Sequence, residues 1–389
     1  MQFEFATATR IVFGPGRLHE IGTIAAGFGH RVLVVCGASA GRAAPLEALL
    51  EEAGLFHERF PVPGEPTIGL VEEGVRVAER NDARVVIGFG GGSAIDTAKA
   101  IAAMLGNGGA LLDHLEVIGA GRPLERPSVP WIAVPTTAGT GSEVTRNAVL
   151  ASPEHRVKVS LRSPSMLARV ALVDPALTAS LPPATTASSG LDALTQLVEP
   201  FTSSRATPLT DGFCREGMAR AGRSLRRAFE AAGEGREAPE AREDMSLAAL
   251  LGGLALANAG LGAAHGFAAP IGGRFDAPHG AVCGRLLPAV VSVNVAALRR
   301  SGPGAAGTLA RYDEAARILL ARPGVTAFDL VAWLTDLVDS LATPRLGTYG
   351  IGPPDVPDLV AAAAVASSMQ ANPVRLSPAE LAEILERSL

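Results

Sequence analysis

Short apolar runs alternate with amphipathic segments along the first 180 residues. The runs are rich in β-branched residues and predict strands near residues 31–36, 56–61, 84–87, 131–134 and 170–173. Helical periodicity predicts helices at residues 17–29, from about 42 to 54, at 67–81 and from 94 to about 104. Strands that alternate with helices at this spacing predict an α/β fold with a doubly wound parallel sheet.

The pattern changes after Asp174-Pro175. Prolines at positions 182 and 183 mark a boundary, and beyond Thr185 the strand signals stop. The remainder is rich in alanine and leucine with helical spacing. We therefore expect an N-terminal α/β domain over residues 1–180 and an all-helical C-terminal domain over residues 181–389.

The N-terminus has its own pattern. Apolar residues alternate through Phe3 and Phe5, and a second apolar run at 11–13 ends at Gly14-Pro15-Gly16. This predicts two short strands joined by a turn. Such an edge hairpin either pairs with another subunit, giving a homodimer, or shields its own sheet.

One charge-free segment, Met245 to Ala264, is long enough to span a membrane. Its apolar residues are mostly alanine and glycine, Asn258 interrupts it, and no aromatic belt flanks it. We therefore expect a buried helix of a soluble domain, and no membrane partner.

Composition narrows the class of protein. A chain of 389 residues with 48% apolar and 19% charged residues is typical of a two-domain globular protein. Its net charge of −5 argues against nucleic-acid binding. Three widely spaced cysteines argue against a disulfide framework, and the first residues resemble no signal peptide, so we expect a cytoplasmic protein.

A glycine run follows the strand at 84–87 directly and precedes a helix. Gly90, Gly91 and Gly92 would let backbone N–H groups approach a phosphate, and the helix N-terminus adds partial positive charge. Ser93 stands where a G-x-G-x-x-G fingerprint would have its last glycine. The alternative is an ordinary tight turn, but three consecutive glycines exceed what a turn needs, which favours phosphate binding.

A second polar stretch follows the strand at 131–134. It contains hydroxyl groups and glycines between Pro135 and Glu143. These groups can hold a ribose, a pyrophosphate or a carboxamide. Two such stretches, each after a strand of one α/β half, predict a dinucleotide site.

Two histidines, His265 and His279, lie in the nearly uncharged stretch 258–288, and Asp192 has similarly uncharged surroundings. A buried imidazole needs a partner, because burial without one is costly. We expect Asp192, His265 and His279 to converge on a site that faces the nucleotide. A metal ion is one partner, and hydrogen bonds around an organic substrate are the alternative.

These motifs resemble the iron-containing (group III) alcohol dehydrogenases over nearly the whole chain. The resemblance is carried by Gly90-Gly-Gly-Ser93-x-x-Asp96-x-x-Lys99, Pro135-Thr-Thr-x-Gly-Thr-Gly-Ser-Glu143, Asp174-Pro-x-Leu, Gly190-x-Asp192-Ala-Leu-Thr, His265 and Pro278-His279-Gly280. It implies a dinucleotide-binding α/β domain, a helical metal and substrate domain, and a divalent metal between them. The run Gly272-Gly-Arg-Phe-Asp276-x-Pro-His279 also resembles maleylacetate reductases, which work without a metal.

The resemblance implies a metal site at Asp192, His265 and His279. Gln196 stands where the family has its second ligand, and Ala269 where it has a further histidine near the substrate. One carboxylate with two imidazoles suffices for catalytic zinc, as in the similar glycerol dehydrogenases, and Gln196 offers a carbonyl oxygen or holds a water. We expect zinc ahead of iron, and His265 and His279 as the catalytic residues.

The resemblance also implies a nicotinamide cofactor. The first strand ends at Cys36-Gly37-Ala38-Ser39 with Arg42 nearby and without the acidic residue that often selects NAD, so NADP is slightly preferred over NAD. The expected cofactor-binding residues are Gly37, Ser39, Gly90, Gly91, Gly92, Ser93, Asp96, Thr136, Thr137, Thr140, Ser142 and Lys158.

The expected function is hydride transfer between NAD(P) and a small aldehyde, ketone or alcohol, assisted by a metal if one binds. A metal-independent reductase of an enol or keto acid, similar to maleylacetate reductase, is one alternative. A cyclase resembling dehydroquinate synthase, or a catalytically silent nucleotide-binding homologue, would keep the fold without net redox.

Overall fold

A computed structural model describes residues 2–389 of the chain. It contains two compact units. One comprises residues 6–137 and 141–178, and we call it the sheet unit. The other comprises residues 138–140 and 179–389 with the described N-terminal residues up to Phe5, and we call it the helical unit.

The sheet unit is built on six parallel strands. Its strands are β1 (Arg10–Phe13), β2 (Arg31–Gly37), β3 (Phe56–Val62), β4 (Val85–Gly90), β5 (Trp131–Pro135) and β8 (Val170–Val173). Their order across the sheet is β1-β8-β5-β4-β2-β3, and every pairing is parallel. The helices are α1 (Ile21–Ala26), α2 (Ala40–Glu52), α3 (Ile68–Arg80) and α4 (Gly92–Asn107). The expected α/β fold with a doubly wound parallel sheet is therefore confirmed.

The central strands are apolar on both faces because helices cover parallel sheets on both sides. All six residues of β4 and all five of β5 are buried. One buried apolar cluster joins Val34, Ile87, Ile132 and Leu172 from four neighbouring strands. This continuous burial explains why these strands appear in the sequence as unbroken apolar runs.

Two further strands form a separate antiparallel hairpin in the sheet unit. They are β6 (Asn147–Ser152) and β7 (Val157–Arg162), with Ala148 opposite Leu161. Burial alternates along β6, as expected for a strand with one covered face.

The helical unit contains nine α-helices. They are α5 (Pro183–Thr202), α6 (Pro208–Gly233), α7 (Pro239–Ala259), α8 (Ala263–Arg274), α9 (His279–Arg300), α10 (Ala306–Leu320), α11 (Ala327–Ser340), α12 (Val356–Val365) and α13 (Pro378–Glu386). Helix α5 packs against α6, α7 and α9. Fifteen of its twenty residues are buried, which makes it the central helix of the unit.

Of the two predicted N-terminal strands, the second is present as β1, whereas the first strand and the hairpin are wrong. Residues 2–8 contain no strand, and β1 pairs in parallel with β8. The turn after β1 is instead fixed by Asp174, whose carboxylate accepts the backbone N–H groups of Gly16 and Leu18, both at 3.0 Å. These bonds direct the chain into a short 3₁₀ helix, which a local alternation pattern could not predict.

Only one single helix within residues 2–389 is long and apolar enough to cross a membrane. It is α9, and 78% of its most apolar window is buried inside the protein. The charge-free segment near residues 245–264 is not one continuous helix, because α7 ends at Ala259 and α8 follows at an angle of 97°. Gly260, with φ of +72°, makes this break possible.

Candidate functional site

Helix α5 presents three polar side chains on one face. Asp192, Gln196 and Glu199 are spaced four and three residues apart, so they lie one above another along the helix. Their exposed fractions are only 2%, 4% and 4%. Such groups are rarely buried unless they are paired or bind a ligand.

Helices α8 and α9 bring the histidines to this face. His265 lies in the first turn of α8, and His279 is the first residue of α9. Helix α9 approaches α5 closely through Gly280, where an added Cβ would lie 2.2 Å from the carbonyl oxygen of Ser188. A side chain at this position would therefore push His279 away from Asp192.

We predict that Gly280→Ala lowers the free energy of unfolding by about 1–3 kcal/mol, because the new methyl group meets backbone that cannot move freely. Gly307→Ala is the matched control, since an added Cβ there meets nothing within 4 Å. Denaturant unfolding of both variants measures the difference. Equal stability of the two variants would contradict the close packing of α9 on α5.

Four potential ligand atoms meet between α5, α8 and α9. Asp192 Oδ1 lies 3.4 Å from His265 Nε2 and 3.8 Å from His279 Nε2. Cys283, one helical turn after His279, has its Sγ 3.7 Å from His279 Nε2. All four ligand atoms lie within 4.8 Å of one another. We call Asp192, His265, His279 and Cys283 the α5–α9 cluster.

Glu199 orients His265. Its Oε2 accepts a hydrogen bond from His265 Nδ1 at 2.6 Å, and its Oε1 accepts one from the backbone N–H of Ala264 at 2.7 Å. A proton held on Nδ1 leaves the Nε2 lone pair directed towards Asp192. Carboxylates commonly fix metal-binding histidines in this way.

The cluster has the features of a cation site. Asp192 Oδ1, Gln196 Oε1 and His265 Nε2 are buried, and none has a partner with hydrogen-bond geometry. Three buried polar atoms without partners in one place would be costly to fold, and a bound cation would satisfy them. Carboxylate, imidazole and thiolate groups together suit zinc and related divalent metals.

The anionic groups of the cluster favour protons on its imidazoles. Burial would lower the pKa of His265, but the Cys283 thiolate and the Asp192 and Glu199 side chains outweigh it and raise that pKa well above its usual value. The Cys283 thiolate also raises the pKa of His279. Burial would raise the pKa of Cys283, but the two imidazolium charges outweigh it and lower it. The α5–α9 cluster therefore favours either a bound cation or protons on its two imidazoles.

The predicted nucleotide-binding glycines lie at one edge of the sheet. Gly37 and Gly90 end the adjacent strands β2 and β4, and an added Cβ at Gly90 would lie 2.7 Å from Ala94 Cβ and 3.6 Å from Gly37 N. The strand order reverses between β2 and β4. Open α/β sheets bind ligands at such a reversal, beyond the carboxyl ends of the strands.

Helix α4 begins at this edge. Gly91 precedes its first residue, Gly92, and Ser93 follows in its first turn. The first backbone N–H groups of a helix have no partner within it, so they suit an anion. Thr137 is close by, because an added Cβ on Gly91 would lie 3.3 Å from its methyl group.

Asp96 and Ser142 take part in a buried network. The Asp96 carboxylate accepts hydrogen bonds from the Ser142 hydroxyl and from the backbone N–H of Val149, the latter at 2.9 Å. The ammonium group of Lys99 donates to Thr145 Oγ1 at 2.9 Å and to the carbonyl oxygen of Asn147 at 2.6 Å. These side chains connect α4 to β6 and to the segment that leads into it.

The other predicted cofactor-binding residues are dispersed. Thr136 is buried after β5, where its backbone N–H donates to the carbonyl oxygen of Gly90 at 2.9 Å. Ser39 occupies the N-cap position of α2, and its side chain makes no capping hydrogen bond. Lys158 lies on β7 and pairs with Glu65 at 3.1 Å. Thr140 belongs to the helical unit.

Glu199 and Cys283 were not predicted as site residues from the sequence. Glu199 lies seven residues after Asp192, two helical turns along the same face, and Cys283 lies four residues after His279. Both spacings place the side chains beside predicted site residues once the helices are known. Ala269, at the position of the additional family histidine, is partly exposed on α8.

Comparison with known proteins agrees with this architecture. The family profile described as "Iron-containing alcohol dehydrogenase" matches residues 8–175, and "Fe-containing alcohol dehydrogenase family, C-terminal" matches residues 186–389. A choline dehydrogenase of Bacillus subtilis (strain 168) is 34% identical over 356 residues, which are 90% of this chain and 86% of that protein.

Solved structures have the same fold over the full length. A 1,3-propanediol oxidoreductase has a TM-score of 0.91 and 30% identity, covering 100% of both chains. A sulfoacetaldehyde reductase from Bifidobacterium kashiwanohense in complex with NAD+ has a TM-score of 0.86 and 27% identity, covering 100% of this chain and 99% of that one. This chain therefore belongs to the iron-containing alcohol dehydrogenase family and is an oxidoreductase of the alcohol dehydrogenase type.

Proposed function

We propose that this protein interconverts a small alcohol and its carbonyl compound with NAD(P) as the hydride carrier and a divalent metal in the α5–α9 cluster. The observation that carries the proposal is the set of three buried, unpartnered atoms on Asp192, Gln196 and His265, beside His279. The names of the similar proteins include the small molecules choline, 1,3-propanediol and sulfoacetaldehyde.

The metal would be held by Asp192, His265 and His279, and Gln196 offers a fourth donor atom. When bound, a divalent metal polarises the substrate oxygen and stabilises the negative charge that develops on it. The chain positions the donor atoms: Glu199 fixes the orientation of His265, and Gly280 allows α9 to lie against α5. We propose zinc ahead of iron, because zinc binds well to three or four protein ligands that include imidazoles.

The nucleotide would bind at the edge formed by β2, β4 and the start of α4. Gly90 and Gly91 would allow the backbone to approach the pyrophosphate, and the N-terminus of α4 would stabilise its negative charge. The segment after β2 has no carboxylate, while Arg42 lies near it on α2 and donates to the carbonyl oxygen of Leu177 at 3.3 Å. We therefore propose that NADP is accepted at least as well as NAD.

His279 connects the cluster to solvent. Its side chain is 36% exposed, whereas those of Asp192 and His265 are 3% and 5% exposed. Ala269 cannot transfer a proton. We propose that a substrate alkoxide receives its proton from the side of His279, from that imidazole or from water beside it.

A metal-independent reductase of an enol or keto acid is the second candidate. It is supported by Gln196 in place of the family histidine and by the ability of the cluster to hold protons on both imidazoles. In that case His265 and His279 would donate hydrogen bonds to the developing oxyanion. The buried Asp192 favours the metal-assisted reaction, because an anion there would repel an oxyanion unless a cation lies between them.

We also propose a cytoplasmic homodimer. The cytoplasmic location is supported by the three buried free thiols, Cys36, Cys214 and Cys283. The dimer is supported by the edge position of β1 in the sheet, since an edge strand can pair with a second copy. Sedimentation analysis tests the assembly directly.

The activity is tested by purifying the protein without added metal and following NADPH and NADH consumption with a panel of small aldehydes, ketones and keto acids. We expect turnover that a strong chelator removes and that zinc restores. Turnover unaffected by the chelator would support the metal-independent reductase instead. Absence of any nicotinamide oxidation across the panel would contradict the proposed redox function.

We predict that Glu199→Gln weakens metal binding about 10–100-fold, the usual cost of losing a group that orients a ligating histidine. Glutamine removes the negative charge, and its amide cannot accept from both His265 and Ala264. Competition titration with a chromophoric chelator measures the affinity. Glu230→Gln, at an exposed position on α6, is the control and should leave the affinity unchanged.

A further inference from the structure

Cys283 lies in the α5–α9 cluster at a position where a thiol needs an explanation. It is on α9, fully buried at 0% exposure, with its Sγ 3.7 Å from His279 Nε2. Its ligand atom also lies within 4.8 Å of those of Asp192 and His265. Cys283 also packs in the apolar core of the helical unit, but an alkyl side chain would pack there equally well, so its contact with His279 is the feature to be explained.

Three of the six separations between ligand atoms in the cluster match a tetrahedral shell, and the others are no longer than 4.8 Å. Zinc bonds of about 2.0–2.3 Å to nitrogen, oxygen and sulfur place neighbouring ligand atoms roughly 3.3–3.8 Å apart. The separations Asp192 Oδ1–His265 Nε2, Cys283 Sγ–His279 Nε2 and Asp192 Oδ1–His279 Nε2 are 3.4, 3.7 and 3.8 Å. The unpartnered atoms Asp192 Oδ1 and His265 Nε2 border the same space.

We propose that Cys283 is the fourth protein ligand of the metal, in place of Gln196, and that its thiolate makes the site select zinc over ferrous iron. The inference rests on the metal site proposed above and defines its ligands. Soft thiolate donors favour zinc over ferrous iron, which retains more oxygen and nitrogen ligands. Zinc can add a fifth ligand, so four protein ligands still allow a substrate oxygen to bind.

Gln196 is the weaker candidate for the fourth position. Its amide oxygen is uncharged, and structural and catalytic zinc sites use cysteine, histidine and carboxylate side chains. Cys283 on α9 would thus take the place of the family histidine that is Gln196 on α5 in this chain.

The test compares wild type with Cys283→Ser and Gln196→Ala after reconstitution with cobalt(II) as a spectroscopic substitute for zinc. Cys214→Ala is the matched control, because Cys214 is also buried in the helical unit but lies outside the cluster. We expect a sulfur-to-cobalt charge-transfer band in wild type, Gln196→Ala and Cys214→Ala. We expect Cys283→Ser to lose the band and to bind zinc at least about 100-fold more weakly, since loss of an outer partner alone costs 10–100-fold.

X-ray absorption of the wild-type zinc protein needs no variant and therefore covers the case in which Cys283→Ser does not fold. One sulfur neighbour at about 2.3 Å would support the proposal. Cobalt or zinc bound without a sulfur neighbour would overturn it and leave the metal-assisted function standing. Failure of wild type to bind either metal, together with chelator-resistant turnover, would overturn both the ligand assignment and the metal part of the proposed function.

Discussion

Replacement of Asp192 by asparagine is expected to lower kcat/KM by about three orders of magnitude, because the metal that Asp192 would hold is lost, and with it the stabilisation of negative charge in the transition state. Asparagine keeps the shape but removes the anionic donor at the centre of the α5–α9 cluster, where Asp192 Oδ1 contacts both histidines. The bound metal content should fall with activity. Steady-state kinetics and elemental analysis of the same preparation measure the two effects.

Asp276→Asn is the control for this experiment, because Asp276 lies in the exposed turn between α8 and α9, near the site in sequence but outside the cluster. It should retain both metal and activity. Circular dichroism of each variant shows whether the helical unit has folded. If Asp192→Asn kept full metal content and full activity, Asp192 would not belong to the site.

Glu143 is expected to make the sheet unit less stable as the pH rises. It is 3% exposed, and burial raises its pKa to about 7 from a reference of 4.5, although the nearby Lys99 ammonium opposes the shift. The folded state therefore binds this proton more tightly than the unfolded state. The stabilisation is complete below about pH 4.5 and is lost as the pH rises to about 7, by about 3 kcal/mol in total.

Glu143→Gln should remove this dependence, because glutamine is uncharged at every pH and has nearly the same shape. Denaturant unfolding at a series of pH values from 5 to 8 should show wild type losing stability relative to the variant. Glu125→Gln, at an exposed position of the same unit, should follow wild type. If the free energy of unfolding depended on pH in the same way for wild type and Glu143→Gln, ionisation of the buried carboxyl group would not destabilise the protein.

The periodicity of the sequence was sufficient to predict the class of fold. Parallel strands covered on both faces must be apolar throughout, so β2, β4 and β5 stand out as continuous runs, and helices with one buried face repeat at another period. The glycines at the end of β4 were also informative, because close backbone packing restricts Gly90 to glycine. Gly90 indeed lies against Ala94 and Gly37.

The N-terminal segment shows the limit of such reasoning. Alternation at Phe3 and Phe5 is consistent with a strand, but a strand also needs a neighbour with free backbone groups. β1 pairs with β8, about 160 residues later in the chain, with Arg10 opposite Val170. No local pattern contains that pairing.

The sequence alone therefore determined the alternation of strands and helices, the glycine turns and the residue types of the candidate site, because these depend on spacing along one element. Only the tertiary structure decided which side chains meet. Glu199 and Cys283 became neighbours of His265 and Asp192 through the packing of α5, α8 and α9, which Gly280 permits. Contacts between distant segments depend on how the three helices pack together. That packing is determined by side chains throughout the core and not by the spacing of residues along one helix.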